Sequence, residues 1–368
     1  MLPFSTWKGD VYDGEWSILA DADTHLSALG LKIKFYCQLT PDIGECDVLC
    51  VSSRCFDLTV PSQAWQEQLT RLKSSNSCLI WFDMRDSAGT TQFEVMPYID
   101  RYVKKQIYRD VGLYFDPPYG GREFARHYHE EFGVVDQSPY RMAPLLEDDR
   151  RKFILGWNIG TSSYLSPSMS NRTKLGKIKR RIAMEVAATG VLRAKPPRLR
   201  GVPPDCDRPI DVFAVLGTNY SRESVAYHRS LLLSRLALRK SGNDLIGGRL
   251  PARRFQRCLQ QSKIVVSAFG WGEVCYREFE ATWAGAAFAM PDMSGIETWP
   301  DIYCKDETYI ALPWHFDNLN EVLDRALSQP RMLRNMAEAA QKRLVGIRDD
   351  STLEDFALRF ARICGAAE

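Results

Sequence analysis

The stretch SKIVVSAFGWGEVCYREFEATWAGAAFAMPDM, residues 262–293, contains a complete strand–turn–helix–strand unit. SKIVVSAFG is a short run of apolar and β-branched residues, which predicts a buried strand. Gly270 and Gly272 follow it, and the absence of a Cβ lets the backbone turn sharply and approach a ligand closely. A helix is predicted to begin near Glu273, and the small residues after it lead into a second apolar strand. Such a unit is typical of a parallel sheet covered by helices.

The same alternation of strands and helices extends along the chain on both sides of this unit. On the C-terminal side of residue 209, IDVFAVLG and YIALPW are predicted as strands and PARRFQRCLQQS as a helix. In the first part of the chain, CDVLCVSS, SCLIWFDM and VGLYF are predicted as strands, and WQEQLTRLKSS as a helix. PYIDRYVKKQIYRD is also predicted as a helix, because Ile99, Val103 and Ile107 fall at i, i+4 and i+8.

The proline-rich, basic segment VLRAKPPRLRGVPPDCDRP, residues 191–209, divides the chain into two halves. Proline ends a preceding helix and no periodic pattern continues through this segment, so we interpret it as a linker. Residues 1–190 are predicted to form one Rossmann-like domain and residues 210–368 another, with the last helix a candidate to cross back to the first domain. The predicted fold class is α/β, with two Rossmann-like domains that face each other across a ligand-binding cleft.

Composition and charge exclude several classes of protein. The 368-residue chain has a net charge of +2, which gives no strong overall attraction to nucleic acid. No uncharged apolar run of about 18 residues is present, so no membrane-spanning helix is predicted. The N-terminus also lacks the order of a signal peptide, and a cytoplasmic location is expected. The basic run at 174–181 leaves open a peripheral contact with the inner face of a membrane, although a solvated helix face is the simpler interpretation.

The ten cysteines do not indicate a metal site or a disulfide framework. Cys46, Cys50 and Cys55 lie close together, but paired C-x-x-C spacing is absent. In a long chain without an export signal, reduced thiols are the better interpretation. We therefore expect no metal ion at these residues.

Charged side chains after Gly272 indicate a ligand site at the carboxyl end of the sheet. If the helix begins near Glu273, then Glu273, Arg277 and Glu280 share one helical face. A carboxylate there can accept two hydrogen bonds from a ribose diol, and an arginine can pair with a diphosphate. The helix N-terminus would add N–H donors for phosphate oxygens. The alternative is a surface helix with ion pairs of about 0.2–0.5 kcal/mol each, and composition does not decide between the two.

The C-terminal half, from Ile210 to the end of the chain, resembles the donor half of glycosyltransferases with the GT-B fold. The features that carry the resemblance are the strand, the glycine-rich turn, and a helix in which Glu280 precedes Ala284 and Gly285. The R-x-x-E pair of Arg277 and Glu280 is similar to the glycosyltransferase group 1-like domains of spore-coat and surface-polysaccharide proteins.

This resemblance implies roles for individual residues. Glu280 would hold the nucleotide ribose, and Gly295 and Glu297 in SGIETWPDIY would lie near the donor sugar. The resemblance also implies that a nucleotide diphosphate sugar is the co-substrate and that no metal or other cofactor is needed. Many retaining members carry two glutamates, the first of which falls on Gly272 here, with Glu273 one position away. Both inversion and retention of configuration therefore stay open.

Three further polar residues follow the first strand of the C-terminal half. Asn219, Arg222 and Arg229 in LGTNYSRESVAYHR are candidates to contact the donor phosphates or an acceptor group. Arg222 and Arg229 are seven residues apart and share a helical face if the helix starts early. For Arg229, an ion pair on the helix surface is an equally good interpretation.

The general base for transfer is sought in the N-terminal half. The apolar strand that ends at Phe82 delivers Asp83, Arg85 and Asp86 to its carboxyl end, and loops on a rigid scaffold often carry function. We predict Asp86 as the first candidate for the base and Asp83 as the second. For each of them, capping of the following turn is the alternative interpretation.

These features together predict a metal-independent glycosyltransferase. It would move a sugar from a nucleotide diphosphate sugar to a glycan, lipid-linked or polysaccharide acceptor, whose hydroxyl group is activated by a carboxylate of the N-terminal domain. Two alternatives stay open: a nucleotide-sugar epimerase of the same fold, and a non-catalytic protein that binds a nucleotide sugar or a glycan. Slow hydrolysis of the donor would distinguish a transferase from a binding protein.

Overall fold

The structure is a computed structural model that describes most of the chain. The described ranges are residues 2–3, 16–36, 46–58, 62–161, 201–239, 242–347 and 349–366. The basic run at 174–181 and residues 191–200 of the predicted linker lie outside them.

The N-terminal half is built on a parallel sheet. Its strands in chain order are β1 (Leu2–Pro3), β2 (Phe35–Tyr36), β3 (Val48–Ser52), β4 (Cys78–Asp83), β5 (Arg101–Lys104), β6 (Gln106–Tyr108) and β7 (Phe153–Leu155). The sheet has the strand order β3-β4-β5-β7, and β1 and β2 form a separate parallel pair. β4 lies inside this sheet and is buried from Leu79 to Asp83, which explains its continuous apolar sequence.

The C-terminal half contains a second, five-stranded parallel sheet. Its strands are β8 (Ile210–Val215), β9 (Leu245–Gly247), β10 (Ser262–Val266), β11 (Ala287–Pro291), β12 (Ile296–Thr298) and β13 (Ile310–Leu312). The strand order is β13-β11-β10-β8-β9, and β12 lies outside this sheet. β10, the first strand of the segment 262–293, is therefore central and pairs with β8 and β11.

Helices cover the two sheets. They are α1 (Ser17–Asp21), α2 (Asp23–Ala28), α3 (Ser62–Ser74), α4 (Gly112–Phe115), α5 (Glu123–Phe132), α6 (Glu223–Leu236), α7 (Ala252–Gln260), α8 (Tyr276–Trp283), α9 (Leu319–Leu327), α10 (Pro330–Gly346) and α11 (Asp350–Cys364). α8 buries Phe279 and Trp283 in the core, as its apolar spacing predicts. Within the described ranges, none of the helices is both long and apolar enough to span a membrane.

Two parallel sheets in sequence, each with its own helices, confirm the predicted α/β class with two Rossmann-like halves. This is the architecture of the GT-B fold.

Two predictions for the N-terminal half are wrong. The segment from Ile99 to Ile107 is not a helix, because it contains β5 and the start of β6, and VGLYF is not a strand, because Gly112–Phe115 form α4. Val103 is only 1% exposed, and β5 is flanked by β4 and β7. In a strand buried on both faces, apolar residues do not alternate with polar ones, so their spacing does not separate strand from helix.

The two halves contact each other through a pair of strands and through the last helix. β12 of the C-terminal half pairs antiparallel with β6 of the N-terminal half. α11 packs on the first sheet, where the ring of Phe356 lies 5.1 Å from the ring of Trp157. Arg101 of β5 also donates hydrogen bonds to main-chain carbonyl groups at the end of α11. The last helix therefore packs on the N-terminal half.

The end of the predicted linker that the structure describes, residues 201–209, lies on the C-terminal half. The main-chain N–H of Val202 donates to the carbonyl oxygen of Trp283 at 2.8 Å. The buried guanidinium of Arg208 donates four hydrogen bonds to main-chain carbonyl oxygens, including that of Ala284. These bonds place residues 201–209 against the end of α8.

Candidate functional site

A cavity of about 930 Å³ opens at the carboxyl ends of β8 and β9. Ligands of parallel α/β sheets bind at this edge, where the loops between strands and helices converge. The volume lies in the range of sites for small molecules and cofactors. The lining residues come from the end of β8, from the loops after β8, β9 and β10, and from helices α6, α7 and α8: Val215, Leu216, Gly217, Thr218, Asn219, Tyr220, Ser221, Arg229, Gly248, Arg249, Leu250, Phe255, Trp271, Arg277 and Glu280.

Four of the predicted donor-binding residues line this cavity: Asn219, Arg229, Arg277 and Glu280. With Arg249, three guanidinium groups and one carboxylate contribute to its wall, so the charge of the lining is net positive. A positively charged wall of this kind complements an anionic ligand. Another cavity, of about 670 Å³, lies at the amino ends of β8 and β9 and includes none of the predicted donor-binding residues.

Arg277 has an unused hydrogen-bond donor in the described structure. Its Nη2 donates to the carbonyl oxygen of Val215 at 3.1 Å. Its Nε is buried and has no hydrogen-bond partner within the described ranges. A buried donor without a partner costs about 1–3 kcal/mol.

Glu280 lies on the same side of α8, three residues after Arg277. Its Oε1 accepts a hydrogen bond from Nε2 of Gln256 at 3.4 Å. Residues at i and i+3 are neighbours on a helix surface, which brings a carboxylate and a guanidinium to the same cavity wall.

Arg229 organises the cavity wall through main-chain contacts. It is buried, and it donates through Nε to Gly217 O at 2.6 Å and through Nη1 to Phe269 O at 2.9 Å. Its guanidinium carbon lies 5.1 Å from the ring centre of Tyr220. Arg229 therefore ties the loop after β8 to the loop after β10, and is not the surface ion pair considered above.

The prediction that a helix begins near Glu273 is wrong, because α8 begins at Tyr276. Cys275 is the N-cap: its Sγ accepts from the main-chain N–H of Glu278, and its own N–H donates to Oε2 of Glu278 at 2.8 Å. This capping box satisfies two N–H groups of the first turn. Those two groups are therefore not donors for a phosphate, and Glu273 does not share a helical face with Arg277.

Glu273 contacts the N-terminal half instead of the cavity. Its buried carboxylate accepts hydrogen bonds from Oγ of Ser87 at 2.7 Å and from the N–H of Ala88 at 2.9 Å. Nε2 of Gln106 lies 3.4 Å from the same carboxylate. The carboxylate of Glu273 thus connects the two halves through hydrogen bonds that occupy both of its oxygens.

Of the two glycines of the turn, only Gly272 is required by a close approach to other protein atoms. A Cβ at Gly272 would overlap the main-chain carbonyl of Asp86. A Cβ at Gly270 would lie 3.5 Å from Oη of Tyr220 and 3.7 Å from Nη1 of Arg229. Gly272 therefore forms a main-chain contact between the halves, and Gly270 lies beside two residues of the cavity wall.

Asp83 is buried and surrounded by donors. Its Oδ2 accepts from Nζ of Lys104 at 2.8 Å and from Oη of Tyr102 at 2.6 Å, and its Oδ1 accepts from the N–H of Arg85 at 2.8 Å. Neither side chain of the Asp83–Lys104 ion pair is exposed to solvent. Asp83 therefore binds Lys104, Tyr102 and Arg85 at the end of β4, and its side chain does not reach the cavity.

Asp86, by contrast, has a side chain that is 49% exposed, with Nζ of Lys105 at 3.3 Å. Partial burial acts to raise the pKa of Asp86, but the positive charges of Lys105 and Arg54 outweigh it and hold the pKa below its ordinary value. The main-chain carbonyl of Asp86 lies against Gly272, next to Trp271 in the cavity wall. Of the two predicted base candidates, only Asp86 is accessible to a ligand.

Three other predicted donor-binding residues lie outside the cavity wall. The guanidinium carbon of Arg222 lies 3.8 Å from the ring centre of Tyr140 in the N-terminal half. The carbonyl oxygen of Gly295 accepts from the N–H of Arg109 at 2.9 Å, and Glu297 belongs to β12. The segment with Gly295 and Glu297, which the resemblance placed near the donor sugar, therefore forms part of the contact between the halves.

Glu278, one residue after Arg277, is a buried carboxyl group inside the capping box. It is 1% exposed, and Oγ of Ser267 donates to its Oε1. Burial raises the pKa of Glu278 to about 7, although the hydrogen bond from Ser267 and the charge of Arg277 act in the opposite direction. The folded protein thus keeps a proton that the unfolded chain releases near pH 4.5.

We expect this carboxyl group to make the stability of the protein depend on pH. Because its pKa is higher in the folded state, its contribution is fully present below pH 4.5 and is lost as the pH rises through about 7. In Glu278→Gln this contribution is absent. The free energy of unfolding of the variant relative to wild type, measured in urea, should therefore rise by about 2–3 kcal/mol between pH 5 and pH 8. An equal difference at both pH values would contradict the raised pKa.

A buried chain of hydrogen bonds centred on His228 also joins the halves, and no sequence pattern predicted it. The N–H of Phe269 donates to Nε2 of His228 at 3.1 Å, so the ring proton is assigned to Nδ1. Nδ1 lies 2.6 Å from Oη of Tyr128, which donates to the carbonyl oxygen of Trp314 at 2.6 Å. Burial lowers the pKa of His228 to about 3, which keeps the ring neutral at physiological pH.

Several residues of the cavity wall were not identified from the sequence, among them Tyr220, Arg249 and Trp271. Trp271 is 38% exposed, and its ring lies 5.4 Å from that of Tyr220. A tryptophan between two glycines after a buried strand is a signal that could have identified it, because such a loop presents the ring at the sheet edge. Arg249 lies in an ordinary polar loop and gives no comparable signal.

Metal-ligating side chains do not converge in the described part of the molecule. There, no group of three or more histidine, cysteine, aspartate or glutamate side chains could hold a metal ion. Cys46, Cys50 and Cys55 are free thiols, the second of them buried in β3.

The two parallel sheets, with a cavity at the carboxyl edge of the second, agree with the predicted GT-B architecture, and the solved structures to which the chain is similar include the following three. WaaG, a glycosyltransferase involved in lipopolysaccharide biosynthesis, is 13% identical, with 99% of each chain covered and a TM-score of 0.43. Phage T4 BGT, in complex with its UDP-glucose substrate, is 10% identical, with 98% of each chain covered and a TM-score of 0.43. The UDP-GlcNAc 2-epimerase from Neisseria meningitidis, bound to UDP-GlcNAc, is 15% identical, with 98% of this chain and 99% of that chain covered and a TM-score of 0.40. No family model and no curated protein matches the chain.

Proposed function

We propose that the protein is a glycosyltransferase that moves a sugar from a nucleotide diphosphate sugar to a glycan, lipid-linked or polysaccharide acceptor. The observation that carries the proposal is the pairing of Arg277 and Glu280 on one wall of a net positive cavity, with Nε of Arg277 buried and unpartnered. The sequence resemblance implies that Glu280 holds the ribose, and Arg277 belongs to the R-x-x-E pattern of the same resemblance.

In this proposal, the nucleoside of the donor lies at Glu280 and its diphosphate lies at the arginines. A carboxylate accepts hydrogen bonds from two ribose hydroxyl groups, and the forked donors of Arg277 match phosphate oxygens. Asn219 and Arg249 lie on exposed loops of the same wall, and in this proposal they contact the phosphates or the sugar. Arg229 holds the wall in position through its main-chain contacts.

The departing diphosphate gains negative charge as the bond to the sugar breaks. Guanidinium groups that are already held in position stabilise this charge without reorganisation during the reaction. In the proposal these groups take the role that a divalent metal would otherwise have, so no metal cofactor is required.

Asp86 is the proposed general base. Its lowered pKa keeps it ionised at neutral pH and therefore ready to accept a proton from the acceptor hydroxyl group. Because a carboxylate of low pKa is a weak base, the proton is transferred late, when the attacking oxygen has become acidic through bonding to the sugar. The nearby cations Lys105 and Arg54 set this pKa.

We expect Glu280→Ala to weaken donor binding by about 10- to 100-fold, because hydrogen bonds to a charged group are worth about 1.5–3 kcal/mol. Binding is measured by thermal shift with UDP-, GDP-, ADP- and CMP-linked sugars, since a ligand of the folded state raises the melting temperature. Glu321→Ala, at an exposed glutamate of α9, is the matched control and should bind like wild type. Equal donor affinity in Glu280→Ala and wild type would contradict the ribose role.

The same donor panel separates the proposed transferase from its alternatives. Release of free nucleotide and sugar from the donor that binds supports a transferase, whereas conversion to an epimeric nucleotide sugar would identify an epimerase. Donor binding without turnover, with a full range of acceptors present, would identify a binding protein. If none of the donors shifts the melting temperature of the wild type, the proposal is wrong.

A further inference from the structure

Three guanidinium groups surround one exposed aromatic ring near the contact between the halves. The ring belongs to Tyr140, which is 40% exposed. The guanidinium carbons of Arg222, Arg122 and Arg85 lie 3.8, 5.5 and 5.8 Å from its centre. We call Tyr140 and these three arginines the Tyr140 cluster.

The arginines of the Tyr140 cluster bind neutral main-chain oxygens and not carboxylates. Arg122 donates through Nε and Nη2 to the carbonyl oxygen of Trp271 at 3.1 and 2.9 Å, and Arg85 donates to that of Thr91 at 2.8 Å. Arg222 donates to the carbonyl oxygen of Ser138. In the described ranges none of the three forms an ion pair with an acidic side chain. Their positive charges therefore repel one another at short range.

Two of the acidic groups near the cluster are already used by other partners, and Glu94 interacts electrostatically with Arg85. Glu273 offsets part of the charge of Arg122, but its oxygens accept from Ser87 and Ala88. Asp136 accepts from the N–H and Oγ of Ser224 at the start of α6. Glu94 and Glu273 offset part of the charge of Arg85 and Arg122, so the three guanidinium groups around Tyr140 keep a net positive charge that an anionic group can balance.

The cluster adjoins the proposed donor cavity through Trp271. The carbonyl of Trp271 holds Arg122, while its exposed ring lines the cavity. The partly exposed residues Tyr140 and Trp271 therefore both contact Arg122, the first through its ring and the second through its main-chain carbonyl. Aromatic faces of this kind pack against the C–H faces of sugar rings, and the guanidinium groups beside them bind anions.

We infer that the Tyr140 cluster and Trp271 form an acceptor subsite for a glycan that carries a negatively charged group, either the carboxylate of a uronic acid or a phosphate. This inference rests on the proposed function and names the acceptor class for the same site. A sugar held there lies next to the donor cavity and close to Asp86, which follows Arg85 in the chain. Arg222 then belongs to the acceptor side and not to the donor.

The test is binding of the full-length protein to an array of matched glycans that end in glucose, glucuronic acid or glucose 6-phosphate. We expect the wild type to retain at least one of the two charged sets at least tenfold more strongly than the glucose set, and the charged set that is retained identifies the anion. Retention should fall with added salt, because exposed charges are screened. Arg222→Ala should lose this preference and keep the donor-induced thermal shift, and Arg253→Ala, at an exposed arginine of α7, should behave like wild type.

The outcomes separate this inference from the proposed function. Equal retention of charged and neutral glycans, or no retention of any glycan by a protein that binds its donor, overturns the subsite and leaves the donor site standing. Loss of the donor-induced shift in Arg222→Ala also overturns it, since Arg222 would then belong to the donor site. Retention that depends on Arg222 in a protein that binds no donor supports the subsite and overturns the transferase.

Discussion

Asp83→Ala is expected to destabilise the protein by about 3–5 kcal/mol, because it leaves the ammonium group of Lys104 buried without a counter-charge. Burial already lowers the pKa of Lys104, and Asp83 is the partner that opposes this effect. The hydroxyl of Tyr102 and the N–H of Arg85 lose their acceptor in the same variant. Urea unfolding at pH 7 measures the change directly.

Asp86→Asn is the matched comparison, since Asp86 lies three residues further along the same segment. Its side chain is half-exposed, and the weak ion pair with Lys105 is expected to contribute less than about 1 kcal/mol to stability. In the Asp86→Asn variant, the rise in melting temperature on donor binding should persist, while the rate of sugar transfer falls by about 10²- to 10⁴-fold, the usual contribution of a general base. Wild-type stability of Asp83→Ala would show that Lys104 finds another counter-charge. Normal transfer by Asp86→Asn would place the base elsewhere.

Gly272→Ala is expected to destabilise the protein by about 3 kcal/mol or more, through the contact between the halves. A Cβ at this position would overlap the main-chain carbonyl of Asp86, and a main-chain atom cannot move aside as a flexible side chain can. The turn would have to shift, and with it Glu273, whose carboxylate binds Ser87 and Ala88. The melting temperature and the free energy of unfolding should both fall, and the donor-induced shift should weaken because Trp271 lines the cavity.

Gly242→Ala provides the control for this substitution. A Cβ at Gly242 would meet no atom within 4 Å, so its effect on the free energy of unfolding should stay within about 0.5 kcal/mol. If Gly272→Ala were as stable as Gly242→Ala, the two halves would not be in main-chain contact at this turn.

Much of the fold follows from local patterns in the sequence. β10, α8 and β11 were recognisable because a strand buried on both faces is continuously apolar and because the intervening helix buries Phe279 and Trp283 at helical spacing. The pairing of Arg277 with Glu280 could also be predicted, since residues three apart on a helix are always neighbours. The start of α8 could not be predicted, because a cysteine is an unusual N-cap and the local sequence did not reveal the capping box of Cys275 and Glu278.

What the sequence determined by itself about this protein is therefore short-range: the order of strands and helices and the side chains that share one helix face. The tertiary structure alone decided which polar residues face a cavity and which join the halves. Asp83 and Asp86 are both acidic residues at the end of one strand, yet the first is neutralised by Lys104 and the second is half-exposed. Glu273 and Glu280 differ in the same manner, since the first joins the two halves and the second lines the cavity. The reason is that the partner of a polar side chain lies on another segment, and its position depends on how the two sheets pack.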